Sequence, residues 1–505
     1  MSLRSRVAAG LDGTLPTGWY PTWRRAVGLG APVTARNGVG QLMRTTDVVI
    51  SAALSPAAVV GLGIADLFAS LPFRASGGVV GASATLTSQD TGAGADANRD
   101  EAFTQAALLA ALVTLPFALV GVGLGAEVLR LVGADAESAR EGARYLALVS
   151  VPMPLGALAA VASATLEATG DTRTPTYVSV PASVFNAGAS LVFGLGLLGA
   201  PRLGIVGIGA ASLVAMTVRS LVLVGYTHLR GPVRLVRPRD PTIARQIVRI
   251  GVPQSAAGVV TAVAVFPFNT LVLQFGTAAN AGYQLAWRVY TQVLAPVGSG
   301  VGRGASIVVG QRLGERAAAT AADPGDDDGT ADGTTDTGTP AATTGEPGPA
   351  DGPVLPVARM ATALVVLGGG IALALGGGVA LAAGSVARLL AEDPAVAAAA
   401  APFVTVLGLS GVLGITNVVA SASLDAAGET RVPLASRVIG MFGGYVGVSW
   451  GLYELAGWGI EAAYAGQFAC YVLMIAVTAW GLARTDWVGR ATAMLDERGS
   501  VDSDG

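Results

Sequence analysis

Twelve apolar runs, each long enough to cross a bilayer as a helix, constrain this chain more than any other feature. A spanning helix needs about 20 residues at 1.5 Å each. Runs of that length fall at roughly 26–54, 57–88, 104–128, 141–168, 175–198 and 204–228. A second set falls at roughly 247–275, 280–310, 358–388, 395–422, 433–453 and 458–484. Lipid offers the backbone no hydrogen-bond partners, so such runs must be helical. The expected fold class is an all-α polytopic membrane protein with twelve transmembrane helices. Only 13% of the 505 residues are charged, against about 25% in a soluble domain.

Charge placement sets the expected topology. The chain has no lysine, so all 31 basic residues are arginine. Loops on one side carry Arg24, Arg25, Arg99, Arg173, Arg230, Arg312, Arg431 and Arg484, and the opposite loops only a few, such as Arg130, Arg202 and Arg388. By the positive-inside rule both termini are expected in the cytoplasm, in a multi-pass protein of the cell membrane. The expected divisions are a cytoplasmic segment (1–25), a six-helix lobe (26–228), a basic connector (229–246), a second six-helix lobe (247–484) and a cytoplasmic tail (485–505). The N-terminus has no apolar core of signal-peptide length. Residues 317–353 hold eight acids from Asp323 to Asp351 and no base, and are expected to be a disordered cytoplasmic loop. The acid-rich, lysine-free loops suit a high-salt cytoplasm.

One cysteine, Cys470, excludes an internal disulfide, and one histidine, His228, leaves no cluster for metal or triad chemistry. An enzyme is therefore not expected, and no cofactor. The Arg-rich connector needs no nucleic acid, because the positive-inside rule explains it. The expected partners are the bilayer and small organic substrates, with the chain acting as a monomer.

The two halves read as copies. VGLGAP at 27–32 aligns with VRIGVP at 248–253, placing Pro32 on Pro253. Gln89 and Gly92 align with Gln311 and Gly314, and ATLEATGDTRTP at 164–175 aligns with ASLDAAGETRVP at 422–433. The offset grows from 222 to 258 between these matches, close to the length of the acidic loop, so that loop reads as an insertion. Each unit of six ends on the side where it began, giving two parallel, pseudo-symmetric lobes of the kind secondary transporters use.

The first run carries Pro32, Arg36, Arg44 and Asp47 within its apolar length. A charge at bilayer depth costs roughly 2.5–3.5 kcal/mol on insertion scales, so such groups face a cavity or one another. Arg36 and Asp47 are eleven residues apart and share a face; Arg44 and Asp47, three apart, can pair directly. Asp47 and Asp66 read as the two acids well inside spans, and both lie in the first lobe. The counterpart of Asp47, 221 residues on, is Phe268. Asp47 is thus either a cation-coupling acid or the ion partner of Arg44 or Arg36. Asp66 with Arg74 is equally a structural tie or a site, and Arg288 aligns beside Asp66 as a polar group of the second lobe.

The helix with Pro32 and Asp47, SQDTGAG after the second helix, LEATGDTRTP after the fourth, GQRLGE after the eighth and LDAAGETRVP after the tenth together resemble the multidrug and toxic compound extrusion (MATE) transporters. The resemblance covers roughly residues 20–490. It implies secondary active efflux of organic compounds by antiport with H⁺ or Na⁺, through alternating access. It implies that Asp47 binds the coupling cation and that the first helix bends near Pro32. Cavity-lining or charge-partner candidates are Arg36, Asn37, Arg44, Asp66, Arg74 and Asn186, with Asn37 and Asn186 also among the candidate oxygen donors for Na⁺ at Asp47. No other metal is expected. The fifth helix offers Asn186 but no acid, which departs from many members. The alternative is a lipid or lipid-linked oligosaccharide flippase of a related two-lobe fold. Three intramembrane arginines against two acids point to an anionic or zwitterionic substrate.

Overall fold

The computed structural model describes residues 15–322 and 355–499. Its first lobe comprises α1 (Trp19–Ala52), α2 (Pro56–Ala93), α3 (Asp96–Gly123), a short α4 (Gly125–Leu131), α5 (Ala136–Ser150), α6 (Met153–Ala168), α7 (Arg173–Leu195) and α8 (Ile205–Leu229). The second comprises α9 (Pro241–Gln274), α10 (Thr277–Val289), α11 (Ala295–Ala322), α12 (Val357–Leu381), α13 (Ala383–Leu390), α14 (Pro394–Ala426), α15 (Arg431–Val438), α16 (Ser449–Ala456) and α17 (Glu461–Arg484). A final helix, α18 (Trp487–Gly499), follows. No strand occurs among the described residues.

Among the described residues nine helical spans are long and apolar enough to cross a membrane, counting α10 through α11 as one, and α5 with α6, bent by 49°, makes a tenth. Two further rods complete the twelve. The first is α1, whose arginines and Asp47 make it too polar for a simple hydropathy test. The second is the run from Arg431 to Ala456, whose middle, Ile439–Val448, is π-helical between α15 and α16. A π segment also joins α10 to α11 at Tyr290–Leu294; such bulges bend a helix without breaking it. The outward faces bear bare apolar side chains such as Leu112, Leu119 and Phe266, at 65%, 65% and 70% exposure. Lipid covers such a surface at no hydrophobic cost.

Helix ends differ from the hydropathic bounds because a helix keeps bonding past the apolar layer. Thus α1 starts at Trp19, inside the segment assigned to the cytoplasm, and α11 runs to Ala322, into the stretch assigned to the acidic loop. The rest of that loop lies outside the described residues. Within the stretch expected to be a cytoplasmic tail, α18 packs back on the bundle and buries Trp487 and Arg498. The GDTRTP and GETRVP turns end α6 and α14 with Gly170 and Gly428 at positive φ. Amides of Asp171 and Glu429 reach back to the Leu166 and Leu424 carbonyls, the Schellman arrangement that satisfies a helix's last acceptors. Outside the spans, Asp135 caps α5, and hydrogen bonds from the Ser138 hydroxyl and the Ser138 and Glu137 amides hold its carboxyl below the usual range.

The lobes meet along α1, α2, α9 and α11, closest at the end that holds Trp19 and Trp487. Gly78 of α2 lies so near the Gly251 carbonyl of α9 that a Cβ would collide with it, and the Gly78 amide bonds Ser255 Oγ at 3.2 Å. Gly78→Val should therefore cost at least about 1–3 kcal/mol, the usual penalty of overpacking, read as a lowered melting temperature of the purified protein. An unchanged melting temperature would show that the lobes do not touch there.

The two glutamines that the halves align make the same bond in opposite directions. Gln89 Nε2 donates to the Ala426 carbonyl of the second lobe at 2.8 Å, and Gln311 Nε2 to the Ala168 carbonyl of the first at 2.8 Å. Beside them, Arg498 of α18 is sealed against Asp90 of α2 at 2.9 Å and donates to Gln246 Oε1 of α9 at 2.9 Å. One side chain thus ties α18 to both lobes. Asp90, absent from the sequence-based set of buried acids, is fully buried here.

Candidate functional site

A cavity of about 590 Å³ lies inside the first lobe, between α1, α2, α5, α6, α7 and α8. That is within the usual range for small-molecule sites, roughly 300–1,000 Å³. Its apolar wall includes Met43, Phe73, Met153 and Met216. Methionines are flexible and polarizable, so such a wall adapts to ligands of different shape.

The charged groups and Asn186 come from four helices. Helix α1 contributes Arg44 and Asp47, one turn apart, α2 contributes Asp66 and Arg74, α7 contributes Asn186, and α8 contributes Arg219. Of the residues singled out in the sequence, Asp47, Asp66, Arg44, Arg74 and Asn186 therefore share one cavity. Arg36 and Asn37 do not line it. Arg36 Nη1 pairs with Glu167 at 2.6 Å, and Asn37 Nδ2 donates to Ser299 Oγ of α11 at 2.8 Å. Pro32, nearer the start of α1, accepts a bond at its carbonyl from Thr176 Oγ1 of α7 at 3.0 Å. Asn186 donates to Met43 Sδ at 3.0 Å and accepts from Ser212 Oγ at 3.3 Å.

Neither arginine offered as an alternative ion partner of Asp47 pairs with it. Arg44 reaches across to α2 and stands 3.8 Å from Asp66, and Arg36 turns to Glu167. Arg44 is 59% exposed and Asp66 47%, so that pair sits in the wet part of the cavity and is worth little. Asp47 is 6% exposed, with the fully buried Ser190 beside it. Its Oδ1 has no hydrogen-bond partner, and among the described residues it joins no ion pair. Asp66 and Arg74, eight residues apart, form no ion pair either.

Two further features were not legible in the sequence. Arg219 lies midway along α8, half-buried, lines the cavity and has an Nε without a hydrogen-bond partner. Glu167, in the last turn of α6, is 1% exposed and pairs with two arginines, Arg36 of α1 and Arg303 of α11, the latter at 2.8 Å. It closes the first lobe onto the second. Asp425, in the last turn of α14, lines a separate space of about 460 Å³ between the lobes, with Arg74, Gln254 and Arg437. Arg288 lines a smaller crevice of about 190 Å³ with Arg44 and Gln292.

Residues 32–192, which contain Asp47 and most of the cavity, match the MatE family model. Probable multidrug resistance protein YoeA of Bacillus subtilis is 28% identical over 207 residues, 40% of this chain and 44% of its own length. Probable multidrug resistance protein NorM of Bradyrhizobium diazoefficiens is 28% identical over 282 residues, 54% of this chain and 59% of its own. The chain spans about half the length of the curated relatives it matches. A solved MOP superfamily transporter from Pyrococcus furiosus superposes with a TM-score of 0.78 over 94% of this chain and 96% of its own, at 17% identity. An outward-facing multidrug resistance MATE family transporter gives 0.78 over 94% and 96%, at 18% identity. Domain match, relatives and fold together make the chain similar to the MATE transporters: residues 32–192 match the MatE model, and the whole fold is that of the solved transporters.

Proposed function

We propose that the chain exports small organic compounds across the cell membrane in exchange for H⁺ or Na⁺, with Asp47 as the coupling acid in the first lobe. The observation that supports this reading is the position of Asp47: a buried carboxylate in a ligand-sized cavity that joins no ion pair among the described residues and has an oxygen without a hydrogen-bond partner. An uncompensated buried charge is expensive, so this carboxylate favours a bound proton or cation. Acids at such depth are functional by default.

Coupling needs cation and substrate to prefer different states. A substrate amine and the coupling cation would compete for one carboxylate, so each would leave as the other arrives. Pro32 removes one amide from the backbone ladder of α1, giving that helix a point at which to respond. With the arginine-rich loops inside, the Gln89, Gln311 and Glu167 ties between the lobes face the cytoplasm. The cavity is then offered to the other side.

The test is efflux of a fluorescent amine such as ethidium or rhodamine B from vesicles holding the purified full chain, under an inward proton gradient and then an inward sodium gradient. One gradient should drive accumulation against the substrate's own gradient and thereby name the ion. Transport equal to that of empty vesicles under both gradients would overturn the proposal.

A further inference from the structure

The cavity is polar in an ordered way. Arg44 and Asp66 largely cancel one another at 3.8 Å. That leaves Asp47 on one side and Arg74 and Arg219 on the other, and among the described residues neither arginine joins an ion pair. The three differ in depth. Asp47 lies five residues before the end of α1 at Ala52, whereas Arg219 lies fourteen after the start of α8 at Ile205, the two ends being on the same side of the bundle. At 1.5 Å per residue Arg219 is roughly 14 Å deeper than Asp47. Arg74, eighteen residues into α2, is deeper still. Met43, Met153, Met216 and Phe73 belong to the same lining.

We propose that Arg219 and Arg74 form an anion subsite, and that the substrate is an elongated zwitterion. Its carboxylate or phosphate meets the two guanidiniums, its ammonium meets Asp47, and its apolar body lies along the methionines. A guanidinium fork suits either acid, because its donors match two oxygens of carboxylate or phosphate. A simple anion fits less well: it would bind best with Asp47 neutralised, so cation and substrate would travel together. An ammonium end restores competition at Asp47. This inference rests on the antiport reading above and adds the polarity of the substrate.

Rhodamine B and its methyl ester form a matched test, sharing body and amines and differing in the carboxylate. Binding is measured by fluorescence anisotropy on the purified full chain, without any gradient. Wild type should bind rhodamine B about tenfold or more tighter than the ester, the worth of one charge-assisted hydrogen bond. Arg219→Gln should abolish that difference while keeping the ester's affinity, which also reports a folded cavity, and Arg219→Lys should retain part of it. Equal binding of the two dyes by wild type, or a tenfold gap that survives in Arg219→Gln, would overturn the subsite. A short-chain, tail-labelled phosphatidylethanolamine tests the lipid source of the same chemistry. Loss of its binding in Arg219→Gln would assign the subsite to a headgroup phosphate, whereas Arg219-dependent binding of rhodamine B alone would assign it to soluble compounds. Dye discrimination without gradient-driven flux would overturn antiport and leave the subsite standing. Gradient-driven flux of ester and acid alike would overturn the subsite and leave antiport standing.

Discussion

Vesicles holding Asp47→Asn will move no more rhodamine B under an ion gradient than empty vesicles, although the variant folds and inserts as wild type does. Asparagine keeps the shape and hydrogen-bonding reach of the side chain but neither releases a proton nor attracts a cation. Asp47 is 6% exposed and joins no ion pair among the described residues, so no arginine is left stranded by the change. Removing an uncompensated buried charge should leave thermal stability unchanged or raise it. Loss of flux with stability intact separates a coupling role from a structural one. Flux equal to wild type would move the role to Asp66, the other carboxylate of the cavity.

The second large effect is on stability. Glu167→Gln should destabilise the protein by about 3 kcal/mol, the low end of the usual 3–5 kcal/mol for removing one partner of a buried pair. The lower figure applies because Arg36 and Arg303 keep 20% and 24% exposure while Glu167 has 1%. The amide neutralises the centre of the triad and leaves two guanidiniums facing each other across the lobes. Replacing Arg303 by methionine in the same chain should recover part of the loss, because the repulsion goes with it, and a double-mutant cycle measures the coupling. Thermal unfolding of the four proteins in one detergent or nanodisc supplies the cycle. A melting temperature unmoved by Glu167→Gln would mean that the triad does not hold the lobes together. A bond between α6 of the first lobe and α11 of the second also bears on which end opens, and about 3 kcal/mol is a population shift of roughly a hundredfold.

The sequence made the helices legible but not their partners. Lipid imposes a long apolar run on every span, so the run count transfers directly to the fold, including α1 with its charges. Helix ends were less legible, as at Trp19 and Ala322, because aqueous ends of a helix need no apolar residues. Pairing across helices was not legible at all. Spacing shows that Arg44 can reach Asp47 on its own helix, but Arg44 meets Asp66 of α2. Glu167 finds Arg36 and Arg303, 131 positions before it and 136 after it. Arg219 carried a usable signal, being a charge in the middle of an apolar run, yet with no acid at helical spacing nothing drew it into the site. The short amphipathic α18 lacked the length of a span, and only packing reveals that Arg498 is buried on Asp90.

The most direct test of the central claim follows the cation itself. Sealed vesicles containing the full chain are given a rhodamine B gradient and no ion gradient, and proton or sodium movement is recorded in wild type and in Asp47→Asn. The account predicts cation flow opposite to the substrate in wild type and none above background in the variant. Cation counterflow that persists in Asp47→Asn, or substrate moving through wild type with no cation in exchange, would contradict it.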